Sequence, residues 1–225
     1  MPRYHLDLGE LQLAWLWRKI ERHELVPARQ CLKEEMPERY AVLRGAGIRT
    51  VADLVRALKD RAATARFAEE TGLPTDYLVW LGREARSYRP NPFALRDIPE
   101  TEPSLLAFLD AVGVKTTKAL FDRAACRADR KDLAAAAGVP PAELLDLVKL
   151  CDLARVRGMG KTFVRLFAAA GADCVDVLAS EDASALHERL YAVNAERDLS
   201  SVVPSLKDVA EYVEMAHELP KDLEI

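Results

Sequence analysis

"LARVRGMGKTFVRLFAAAG", residues 153–171, is the stretch whose reading decides the fold. Its centre, Gly158-Met159-Gly160-Lys161-Thr162, fits either the end of a phosphate-binding P-loop or a tight turn between two helices. A P-loop needs Gly-x-x-x-x-Gly-Lys-Ser/Thr behind a buried strand, so that successive amides curl around phosphate while the lysine and hydroxyl reach phosphate and magnesium. The first glycine of that pattern would stand at position 155, which is Arg155. The lead-in has helical periodicity and no later apolar strand ends in an acidic magnesium ligand, so no nucleotide is expected.

The turn reading fills every slot without a gap. Leu153 and Val156 close one helix three residues apart, Gly158-Met159-Gly160 makes the turn, and Val164 and Phe167 face back from a second helix that ends at Gly171. Glycine is needed because the turn bends tightly and brings backbone N–H groups close to whatever lies outside it, with no Cβ in the way.

Sliding the sequence against itself extends this unit. Residues 43–81 align without a gap on residues 109–147 at an offset of 66, with eleven identities in thirty-nine positions, among them Gly47/Gly113, Thr50/Thr116, Gly72/Gly138, Pro74/Pro140 and Leu81/Leu147. A weaker third copy follows at a further offset of 58, where residues 166–179 fall on 108–121 and Gly171 falls on Gly113. Each glycine closes an apolar-periodic helix, as a glycine in the left-handed C′ position does. The common pattern is helix, Gly turn, short helix.

The remaining punctuation is helical too. "GLPTDYLVWLGREA" and "GVPPAELLDLVKLCDLA" place Pro at or before a first turn, and Pro204-Ser205 with Asp208 reads as a capping box. No alternating strand pattern is present. "RPNPFALRDIPETEP", residues 89–103, carries four prolines and reads as a linker. The expected organisation is therefore a helical unit over 1–89 with a degenerate hairpin, a Pro-rich linker over 90–103, and a pair of units sharing one core over 104–225. In the amino-terminal helix "LGELQLAWLWRKIERHEL", Leu11, Trp15, Leu16 and Lys19 lie near one face, and Trp15 and Trp17 read as packing residues.

Composition narrows function. Thirty-two Lys and Arg against thirty-six Asp and Glu leave a net charge of -4, so attraction to an anion must come from a local patch. Residues 149–165 supply one, with Lys149, Arg155, Arg157, Lys161 and Arg165 against Asp152 alone. Cys31, Cys126, Cys151 and Cys174 lack metal-ligand spacing and read as buried free thiols. His5, His23, His187 and His217 sit in polar helical surroundings without a nucleophile partner, so no catalytic group, metal or cofactor is expected. No run suits a membrane span or a signal segment, which points to the cytoplasm.

The filled pattern of residues 153–171 resembles the helix-hairpin-helix domains of DNA-repair and recombination proteins. The continuation "AAAGADCVDVLA" resembles recombinase amino-terminal domains and the carboxy-terminal domain of the bacterial RNA polymerase alpha subunit. Residues 100–220 as a whole are similar to a bacterial family known as domain of unknown function 4332. Arg157 and Val164 depart from the helix-hairpin-helix pattern, which often has Pro and Ala there. The resemblance implies an all-α fold of tandem helix-hairpin-helix-like (SAM-like) repeats and a non-catalytic grip on DNA backbone phosphate. The residues expected to carry it are Arg155, Arg157, Gly158, Met159, Gly160, Lys161, Thr162 and Arg165. In the other copies the two glycines fall on Glu100 and Glu102, and on Glu34 and Met36, so only the third copy could hold phosphate. The competing expectation is a protein-interaction or scaffolding module of degenerate helix-hairpin-helix repeats that uses its apolar helix faces and Trp residues.

Overall fold

The computed structural model describes residues 2–98 and 101–225. Among these it holds thirteen α-helices, two short 3-10 helices and no strand beyond two isolated bridges, so the chain is all-α. Two compact units divide it: Asp7–Tyr88 is one, and Arg89–Ile225 together with the residues up to Leu6 is the other.

In the first unit, α1 (Leu13–Arg22) and a 3-10 helix (Pro27–Lys33) precede α2 (Met36–Gly45), α3 (Val51–Ala57), α4 (Arg61–Thr71) and α5 (Thr75–Ser87). Leu13, Leu16 and Ile20 bury one face of α1. Trp15 packs edge-on against Tyr88 at 4.7 Å, and Trp17 donates its indole N–H to the Met36 carbonyl at 3.1 Å, so both tryptophans pack within the unit.

The second unit begins with a 3-10 turn (Leu95–Asp97) and continues through α6 (Pro103–Ala111), α7 (Thr117–Ala124), α8 (Arg127–Ala137), α9 (Pro141–Leu153), α10 (Lys161–Ala169), α11 (Val175–Ala179), α12 (Ala183–Arg197) and α13 (Leu206–Glu218). Shifted by 66 positions, α4 and α5 coincide with α8 and α9 at both ends. The three glycine turns also share one geometry. Gly47, Gly113 and Gly171 have φ of +85°, +80° and +92°. The amide two places past each helix end bonds back across the turn, Ile48 to Leu43 at 3.1 Å, Val114 to Leu109 at 2.8 Å and Ala172 to Phe167 at 3.0 Å, the pattern that closes a helix through a left-handed residue.

The stretch expected as a linker is part of the second unit. Phe93 accepts from the Thr117 amide and Leu95 donates to the Lys115 carbonyl, both at 3.0 Å, while Leu95 and Ile98 are buried in the core around Leu109, Leu120 and Phe121. Prolines flank these residues without freeing them, because backbone pairing and apolar burial fix the segment between; Pro99 and Glu100 lie outside the described residues. The first residues differ from expectation as well. Tyr4 packs on Phe121 at 5.6 Å and shares a hydrogen bond with the Thr117 hydroxyl at 2.8 Å, which attaches the amino-terminal segment to this unit.

Candidate functional site

The turn between α9 and α10 is anchored from beneath. Leu153, Val156, Val164 and Phe167 are fully buried, and Met159 points into the same core at 3 % exposure. Burying these side chains is what fixes the loop above them. Short bonds then wind the backbone: Val156 N–H to Leu153, Met159 N–H to Val156 and Gly160 N–H to Gly158, each at 3.0 Å.

Gly158 is a position where glycine is required twice over. Its φ is +81°, and a Cβ there would lie 3.3 Å from the Tyr212 ring. Tyr212, on α13, donates its hydroxyl to the Gly158 carbonyl at 3.4 Å and packs edge-on against Phe167 at 5.3 Å. Burial pushes that hydroxyl up to about 12, so it stays a neutral donor. Gly160 is different. Its backbone is extended, with φ -80° and ψ 174°, and nothing lies within 4 Å of where a Cβ would stand.

Gly158, Gly160, Lys161 and Thr162 are exposed, and Arg157 and Arg165 are half-buried. Arg165, one helical turn beyond Lys161, lines a cleft beside α10. The Gly160 amide is occupied by Gly158, so the N–H groups aimed outward are those of the first turn of α10, beginning at Lys161. Gly160 supplies no capping side chain and that turn carries no acidic residue.

Arg155 differs from expectation. Its side chain is buried, and it cannot reach a phosphate outside the turn. Its Nη1 pairs with Asp152, Nε donates to the Tyr4 carbonyl at 3.1 Å, Nη2 donates to the Pro220 carbonyl at 2.6 Å, and the guanidinium lies 4.5 Å from the Phe121 ring centre. Lys149 is also engaged, with Asp173 at 2.7 Å, which raises its ammonium above the usual range. Arg155 and Lys149, both counted in the basic patch from sequence, are thus paired internally.

Asp152 explains why Arg155 is inside. The first amides of α3 and α7 are satisfied by backbone carbonyls, Val51 N–H by Leu11 at 2.9 Å and Thr117 N–H by Phe93. At α11 the equivalent amide, Val175 N–H, is taken by the Asp152 carboxylate at 2.7 Å. Burial pushes the Asp152 carboxyl up, and the Arg155 charge and Val175 N–H oppose that shift. A carboxylate used as an internal cap needs a buried cation beside it. Sequence reading missed this pair and Tyr212. The spacing of Asp152 three residues before Arg155, and Cys174 where the other copies have Thr50 and Thr116, were the available signals.

Other chemistry is quiet. Cys151 and Cys174 are buried, and burial raises both thiols, which disfavours the reactive thiolate. Among the described residues no cluster of His, Cys, Asp and Glu is gathered to hold a metal, and no helix is long and apolar enough to cross a membrane.

No curated protein and no solved structure matches the chain. A family model, that of the Domain of unknown function (DUF4332), matches residues 99–219, which span α6 to α13 and include the α9–α10 turn. The chain therefore belongs to the DUF4332 family.

Proposed function

We propose that the protein is a non-catalytic, sequence-nonspecific DNA-binding protein that holds a backbone phosphate at the start of α10, and that its glycine turns are degenerate relatives of the helix-hairpin-helix. The observation that carries this reading is the open start of α10. Side chains of Thr50, Asp60, Thr116, Asp182 and Ser205 accept from the first turns of α3, α4, α7, α12 and α13. Helices α1, α2, α5, α6, α8 and α9 start without such a cap, as α10 does, but among the described helices α10 alone starts at a glycine, whose missing side chain leaves its first amides open to an outside acceptor. A helix N-terminus with exposed amides favours an anion through both hydrogen bonding and its dipole. Lys161 and Thr162 stand exposed beside those amides, with Arg157 and Arg165 flanking.

The related turns carry acids where α10 carries glycine. Glu102 stands at the cap of α6 and Glu34 is exposed ahead of α2, which would repel phosphate; Glu100 lies outside the described residues. Backbone amides, the Lys161 ammonium and the Thr162 hydroxyl suit a phosphate and carry no base code, which supports a grip on the backbone.

Fluorescence anisotropy with a labelled duplex tests this. Affinity should fall with salt at a log–log slope of about -0.9 for each phosphate contacted. Gly160→Glu, at a site with room for a side chain, should weaken binding about tenfold or more with the fold intact by circular dichroism. Gly160→Glu also separates charge from fold better than Gly158→Glu, which would strain φ and strike Tyr212. Equal affinity of wild type and Gly160→Glu at low salt would sink the proposal.

A further inference from the structure

A cleft of about 980 Å³ opens within the second unit, away from the glycine turn's first amides. Leu105 of α6 and Leu147 and Leu150 of α9 form one apolar wall, edged by Glu102, Glu143 and Asp146; Arg165, Ala168 and Ala169 of α10 and Arg197 of α12 face it.

The internal repeat shows what such a wall receives. Subtracting 66 carries Leu147, Leu150, Asp146 and Glu143 onto Leu81, Glu84, Trp80 and Tyr77 of α5. In the first unit that face is covered by the chain's own 3-10 helix, Pro27–Lys33. Leu32 is buried there, Arg29 pairs with Glu84 at 2.9 Å and lies 5.7 Å from the Trp80 ring, and the Cys31 carbonyl accepts from Arg39 at 2.9 Å. The cover comes from residues 13–35, which run from the bridge at Gln12 to the start of α2. Between the bridge at Ala94 and α6 the described residues hold only the three-residue 3-10 helix Leu95–Asp97, where the first unit has α1 and a seven-residue 3-10 helix. The acidic edge persists, moved from Glu84 to Asp146 and Glu143.

We infer that this cleft is a docking groove for a short helical segment of another protein that carries a leucine to set against Leu147 and Leu150 and an Arg or Lys to meet Glu143 and Asp146. The segment resembles Pro27–Lys33 in chemistry and is supplied in trans. The small side chains of Ala168 and Ala169 suit a helix backbone passing over them, and Arg197 suits an acidic residue on the segment's other side.

The probe is a fluorescein-labelled peptide of residues 24–35 with Cys31→Ser, titrated with the full chain at low salt. Saturable binding is expected, weakened about tenfold by Leu150→Glu and by the surface pair Glu143→Lys with Asp146→Lys, which leaves the core untouched. The inference is overturned if a scrambled peptide binds as tightly, or if both variants bind like wild type. It is equally overturned if sedimentation shows wild type dimerising and Leu150→Glu monomeric, because the occupant is then a second copy. Gly160→Glu, which lies outside the cleft lining, should bind the peptide as wild type does, which keeps this test separate from that of the Gly160 turn.

Discussion

The starts of α7 and α11 follow the same glycine turn and are satisfied by different chemistry. At α7 the Thr116 hydroxyl accepts from the Ala119 amide at 3.2 Å, and the Phe93 carbonyl takes the Thr117 amide. At α11 the cap residue Cys174 makes no side-chain cap bond, and the first amide, Val175, goes to a buried carboxylate from α9 where α7 has the Phe93 carbonyl. A backbone carbonyl is neutral and leaves nothing to compensate. A carboxylate brings a charge inside, and that charge draws Arg155 in after it, away from any surface role. The acceptor of one amide therefore decides where a nearby basic residue goes.

The sharpest way to break this contrast is Arg155→Leu. It strands the Asp152 carboxylate and should cost about 3–5 kcal/mol, seen as a lower urea midpoint. Adding Asp152→Asn should recover part of that loss, since the amide oxygen still accepts from Val175 without a charge. No recovery would mean that the Tyr4 and Pro220 contacts carry the stability instead.

Next in size are Gly113→Ala and Gly171→Ala. Both place a Cβ in the left-handed region, at φ +80° and +92° with open space around each, and each should cost about 1–2 kcal/mol by thermal unfolding. Equal losses would show that the turn is indifferent to the cap that follows it; unequal losses would tie them together.

Acid should act beside α7. Burial, then the charges of Arg89, Lys118 and Arg155, depresses His5 from 6.5 to about 4. Because the folded state holds this imidazole neutral, its contribution is full above pH 6.5 and is lost as pH falls from there towards about 4. His5→Asn should flatten the melting temperature across that window.

The smallest change expected is Cys174→Ser, which restores an oxygen at the cap. A gain of about 0.5–1 kcal/mol should appear as a higher melting temperature. A loss would show that the buried thiol site tolerates no hydroxyl.

Much of this was legible in sequence, and the reasons are local. The three turn glycines, the Ser205/Asp208 capping box and the proline at the start of α9 act within one turn of backbone. The slots Leu153, Val156, Val164 and Phe167 were also readable, because helical spacing alone sends them inward. The misreadings depended on partners far along the chain. Arg155 counted as surface charge because the carbonyls that hold it, Tyr4 and Pro220, lie 151 and 65 residues away. The Pro-rich stretch read as a linker because its pairing partners, Lys115 and Thr117, are invisible to composition. The Gly158–Tyr212 contact spans 54 residues and left no mark on the motif.

The attachment of Tyr4 to Arg155 and Phe121 also shapes how the chain acquires its structure. The unit that holds Tyr4 is interrupted in sequence by all of Asp7–Tyr88, and its Arg155 knot needs the carbonyl of Pro220. Asp7–Tyr88, in contrast, is one continuous stretch of sequence. Attaching the amino-terminal segment needs Thr117 and Arg155, 113 and 151 residues away, so it closes a far longer loop, at a greater entropic cost, than the contacts within Asp7–Tyr88.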